Sequence, residues 1–259
     1  MIVHSSLESI RTDERSIALQ HIEFFDSYAT NKDIIIFDRG YPSHELIAEF
    51  EDKPWKYLMR ISKGFNFIID ANVETDFIQV IRCRKHKRFV RVIKIVLPSG
   101  EIEQLITNIP QEEFTQEEFE KLYFLRWPVE TKYNTIKNKL ALESFSGKTV
   151  ISVEQDFYAT MYLANLVTFA KIESDQLIEL QNGYKTRKYM YKTNEKNLIF
   201  LIKEQLIMLL LCKSSKRLNQ LLDILILEAS ETKTQIRPDR HFPRPENYSR
   251  RGYASKSKN

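Results

Sequence analysis

The sequence predicts an α/β fold with an antiparallel β insertion and a helical C-terminal part. Three observations carry that expectation. The run DIIIFDRG (residues 33–40) sets four consecutive apolar side chains between Asp33 and an Asp-Arg-Gly turn, the pattern of a strand buried on both faces in a sheet covered by helices. Residues 57–109 change texture and become rich in Val, Ile, Phe and Thr. After Pro110 the signals turn helical and stay so until a basic end.

Taken in order, residues 15–29 carry Ala18, Ile22 and Phe25 at helical spacing behind a Thr12/Asp13 start signal, which predicts an amphipathic helix. The buried strand follows at Ile34, Ile35, Ile36 and Phe37. Ser43 is placed to cap a short helix, SHELIAEF, over 43–50. FNFIID, DFIQVIRC, FVRVIKIVL and IEQLITNI read as strands of an antiparallel unit, with Pro-Ser-Gly turning between the last two. Thr115 and Glu118 form a capping box ahead of FEKLYFL, and further helices are expected over 158–172, 198–212 and 218–227. The chain thus divides into 1–54 around the buried strand, the β insertion 55–110, a helical part 111–231 and a basic tail 232–259.

With 42% hydrophobic and 12% aromatic residues the 259-residue chain can bury a core, so a globular protein is expected. No apolar run with a basic start occupies the first 30 residues, and the longest later run, LIMLLLC (206–212), is too short to span a bilayer. A cytoplasmic protein without a membrane partner is expected. Cys83 and Cys212 lie far apart without histidines at ligand spacing, so neither a disulfide framework nor a zinc site is read. The net charge of +4 is unevenly spread: residues 232–259 hold eight Lys/Arg against Asp239 and Glu246, leaving the tail at +6 and the remainder at −2. RCRKHKRFVRVIK (82–94) adds seven Lys/Arg without an acid. Such stretches point to a polyanion, most often nucleic acid, or else to a charged strand edge and a solvated tail.

Asp38 stands where the buried strand ends, at the rim where open α/β sheets bind ligands. It could equally cap the turn or pair with Arg39. In YFLRWPVETKYNTIK (123–137), Pro128 marks a helix start, so Tyr123 and Arg126 close the preceding helix. Glu130 and Lys137 then fall on one helical face two turns, ~10.5 Å, apart. A solvated helix with salt bridges is the bland alternative.

The set Tyr123, Arg126, Glu130 and Lys137 resembles the Y-x2-R-x3-E-x6-K signature of bacterial insertion-sequence transposases of the insertion sequence four group, members of the DDE superfamily. FDRGY (37–41) resembles the strand end that bears this group's second catalytic Asp, and the β-rich block resembles the β insertion that the group carries before its catalytic Glu. The resemblance implies a ribonuclease H-like (retroviral-integrase-like) fold and DNA cleavage followed by strand transfer. It implies Asp38 and Glu130 as catalytic carboxylates holding Mg²⁺ or Mn²⁺. Tyr123, Arg126 and Lys137 would contact the DNA strand at the scissile phosphate, with Arg39 beside them. Trp127 would stack on a displaced base, or else lie in the core. DNA, as transposon ends and target, is the implied partner, a homodimer the implied active state, and the bacterial nucleoid the implied location; no small-molecule substrate is expected.

The family pattern also asks for a first Asp on an earlier strand. Only 37 residues precede Asp38, and Asp13, Asp26 and Asp33 fall at a helix start, inside a helix and at the opening of the same strand. The first Asp and its strands are therefore expected to be missing, as in a truncated copy, unless a separate polypeptide supplies them. A working transposase, an inactive DNA-binding fragment and an unrelated α/β protein remain the three functional readings.

Overall fold

The computed structural model describes residues 1–50, 53–83, 86–97, 100–182 and 189–236. The chain forms two compact units, Glu8–Thr131 and, with Met1–Leu7, the part from Lys132 onward.

The first unit is mixed α/β around a mostly antiparallel sheet. Its elements are α1 (Glu14–Phe25), β1 (Ile34–Phe37), α2 (His44–Glu49), β2 (Lys56–Ile61), α3 (Phe67–Ala71), β3 (Asp76–Cys83), β4 (His86–Val96), β5 (Ile102–Thr107) and α4 (Gln116–Phe124), followed by the first residues of α5 (Trp127–Asn134). The five strands lie in the order β1-β2-β5-β4-β3, so β1 shares one sheet with the β-rich block. Only β1 and β2 run parallel, with Ile36 opposite Leu58 and Phe37 opposite Met59. Period-two alternation sorts side chains to two cores. Tyr57, Met59, Ile61 and Phe37 join Ala18, Ile22, Leu46, Ile47 and Trp55 on one face. Leu58, Ile93, Ile95 and Leu105 meet Phe119 and Tyr123 of α4 on the other, with Ile34 and Ile36 packed against them.

Two sequence-based expectations need correction here. Ile34, Ile35 and Ile36 are only half-buried, because β1 is an edge strand with β2 as its sheet neighbour. FNFIID does not form a strand: the Asn66 side chain accepts from the Ile68 and Ile69 N–H groups and starts α3 instead, burying Ile69 and leaving Phe67 exposed. The predicted caps at Asp13, Ser43 and Thr115 are present, the last as a full capping box.

The second unit holds a π-turn (Thr135–Lys139), α6 (Val150–Asn182), β6 (Met190–Thr193), α7 (Glu195–Leu211), α8 (Ser215–Glu231) and β7 (Lys233–Ile236). Its core joins Ile136 and Leu140 to Ala164, Val167, Leu198, Ile202 and Leu225. The predicted basic tail begins as structure, since β7 pairs antiparallel with β6; the tail beyond Ile236 lies outside the described residues. No helix among the described residues is long and apolar enough to cross a membrane.

Candidate functional site

β1 sends Ile34 and Ile36 to the sheet face covered by α4, and Asp38 continues that alternation just past the strand end. The turn behind it is closed by Tyr41 N–H donating to the Asp38 carbonyl at 3.1 Å. Arg39 lies exposed in this turn. From the other side, the capped helix α4 delivers Tyr123, and the chain then passes through Arg126 into α5, which carries Glu130.

Arg126 joins the two carboxylates. Its Nη1 donates to Glu130 Oε1 at 2.9 Å, one helical turn on, and stands 3.8 Å from Asp38 Oδ2. Two acids that are 92 positions apart in sequence thus meet around one guanidinium. The Arg126 side chain is mostly covered, whereas those of Asp38 and Glu130 are about half exposed. Burial works against the Arg126 charge, but the Glu130 hydrogen bond, helped by Tyr123 and Asp38, outweighs it and holds the group protonated more firmly than usual. Asp38 Oδ1 is buried and has no hydrogen-bond partner among the described residues.

Tyr123 is buried under this cluster, with the Arg126 guanidinium 5.6 Å from its ring centroid. Burial pushes its phenol above the ordinary value; the Glu103 charge adds to this, while Arg126 and Arg60 oppose it. Its hydroxyl has no partner in good hydrogen-bond geometry, though Arg126 is close enough to act on it. Glu103 and Arg60 themselves form an ion pair at 2.6 Å beneath the same face. Sequence reasoning missed both residues. The available signal was a charge at an inward-facing position of a strand, Arg60 in phase with Leu58 and Glu103 in phase with Leu105.

Lys137 is exposed in the π-turn and pairs with Glu143 at 2.8 Å. The expected unbroken helix from Glu130 to Lys137 is interrupted, because α5 ends at Asn134 and Leu140 N–H reaches back five residues to the Thr135 carbonyl at 2.9 Å. The Trp127 side chain lies outside the described residues. Of the basic stretch 82–94, Arg91 and Lys94 are buried: Arg91 makes two hydrogen bonds to Asp76, at 2.8 and 2.6 Å, and Lys94 donates to the Asn72 carbonyl. Neither is available to a phosphate in this fold. Arg84 and Lys85 lie outside the described residues.

A family model described as the transposase DDE domain matches residues 11–166, more than half of the chain, including Asp38, Arg126 and Glu130. The chain belongs to the DDE transposase family. No curated protein matches it. Membership establishes transposase function in general terms, with DNA as the partner that such a function entails.

DDE transposases usually use a divalent metal. The donors here fit a hard cation in kind, being two converging carboxylates, one with a buried oxygen that no described residue satisfies. In number they are few: among the described residues no group of three His, Cys, Asp or Glu stands at metal-holding spacing.

Proposed function

We propose that the chain is a transposase of the insertion sequence four group, with Tyr123, Arg126, Glu130 and Lys137 as its YREK signature and a ribonuclease H-like core around β1. In this reading it acts in DNA cleavage and strand transfer at the ends of an insertion sequence. The observation that carries it is Arg126, which gathers Asp38 and Glu130 at the rim of the sheet.

Asp38 and Glu130 are the residues that would hold Mg²⁺ or Mn²⁺; such an ion would activate the attacking oxygen and stabilise the leaving one. The chain's own contribution is electrostatic. Arg126 neutralises two carboxylates that would otherwise repel, and its planar fork suits a phosphate that takes their place. A backbone phosphate entering beside Asp38 would therefore find a cation already oriented.

That no third acid, His or Cys among the described residues joins Asp38 and Glu130 at metal-holding spacing favours a second reading, in which this chain by itself binds DNA without cutting it. Both readings are separated by incubating the purified chain with a duplex bearing the element's end and Mn²⁺, alone and together with a segment that supplies a further strand-end Asp. We expect no cleavage by the chain alone and cleavage with the added segment, abolished by Glu130→Gln. Cleavage by the chain alone that Glu130→Gln removes would show that its own carboxylates suffice. Glu130-independent behaviour in both arms would sink the catalytic assignment.

A further inference from the structure

Below the carboxylates lies a second layer of charge. Arg60 of β2 stands opposite Leu105 of β5, and Glu103 is two residues from Leu105 on the same strand, so both reach the sheet face that α4 covers. Phe37 is opposite Met59, which sets the end of β1 level with Arg60. Glu103 is 9% exposed; one carboxylate oxygen forms the ion pair with Arg60 at 2.6 Å, and the other is buried without a hydrogen-bond partner among the described residues. Tyr123, 6% exposed, belongs to the same buried cluster as Leu105 and Ile95, the latter directly across from Glu103, and carries the Arg126 guanidinium over its ring. The pair is covered on the Glu103 side and partly open at Arg60; such pairs contribute little net stability against apolar residues of the same volume, which makes a role in specifying geometry the hypothesis to test.

We propose that Glu103 and Arg60 are positioning residues that act through Tyr123, holding its ring where it fixes the Arg126 fork between Asp38 and Glu130. The phenol hydroxyl is buried, so Tyr123 supports the Arg126 fork from below. This rests on the reading that Arg126 meets a DNA phosphate. Removing the Glu103 charge leaves Arg60 without its counter-charge, loosens the layer on which the Tyr123 ring lies and lets the guanidinium swing. The Arg126 charge survives such a change, and what is lost is its orientation.

The test is a double-mutant cycle on the full chain, reading affinity for a short fluorescein-labelled duplex in Mg²⁺. Glu103→Gln should weaken binding about fivefold when Arg126 is present. In an Arg126→Lys background, which keeps the charge but has no fork to orient, it should weaken binding less than about twofold. Equal effects in the two backgrounds, or none in the first, would overturn the proposal. If Arg126→Lys alone leaves affinity unchanged, the phosphate reading fails and takes the proposal with it, an outcome distinct from equal effects. Should Glu103→Gln fold poorly, the pair replacement Arg60→Met with Glu103→Leu leaves no buried charge behind and is run through the same cycle with the same criteria.

Discussion

Arg91 shows how far a residue's meaning depends on what it faces. By sequence it is one of seven cations in a basic stretch; in the fold it is 3% exposed, bonded twice to Asp76, donates to the Pro110 carbonyl at 2.9 Å and lies 4.9 Å from the Phe119 ring centroid. It therefore ties β3, β4 and α4 together. Asp76→Asn should cost about 3–5 kcal/mol, measured by urea unfolding at neutral pH, because it leaves a buried guanidinium without its counter-charge. The Arg91 hydrogen bonds hold the Asp76 carboxyl below the usual carboxylate range. A depressed folded value means that this stabilisation is complete above the unfolded pKa of about 3.9 and is lost as pH falls through the folded one. Acid unfolding should accordingly be steeper in the parent protein than in Asp76→Asn, and equal acid limbs would refute the pairing.

At the scale of elements, α4 matters because it carries Tyr123 to the sheet and aims the chain toward Arg126. Its start is secured twice: Thr115 accepts from Glu118 N–H, and Glu118 Oε2 accepts from Thr115 N–H at 2.7 Å. Thr115→Ala should lower stability by about 1 kcal/mol in the same urea assay. If the helix then frays, DNA affinity should also fall, since the residue beneath Arg126 loses its support. α5 was legible through Pro128, but the π-turn after it was not. Widening the turn at Thr135 depends on tertiary partners, among them the Glu195 carboxylate that accepts from the Thr135 hydroxyl at 3.2 Å and pairs with Lys139. Spacing rules assume 3.6 residues per turn and fail where such partners impose a different count.

For the whole molecule, charge distribution is the property that bears on partners. β7 accounts for Lys233 of the basic tail, so the segment to remove in a binding experiment is 237–259, not everything after Glu231. Those residues hold seven Lys/Arg against two acids. Their deletion should make the log affinity against log salt plot shallower, each lost phosphate contact removing about 0.9 from the slope. An unchanged slope would mean that the tail does not engage DNA.

What the sequence by itself determined is the local grammar: the caps at Asp13, Ser43 and Thr115, the strand that ends just before Asp38, the β-rich middle and the helical remainder. These follow from backbone hydrogen bonding and side-chain periodicity within a few residues, which a single stretch of chain contains. It also singled out Arg126 and Glu130 through the spacing of a family signature and Asp38 through the separate resemblance of FDRGY. Only the tertiary structure decided that Arg126 spans the two acids, that Arg91 and Lys94 are spent inside the fold, and that Arg60 and Glu103 lie under the site. Those facts depend on strand order and register, where residues distant along the chain become neighbours, and no local propensity encodes which charge will face which.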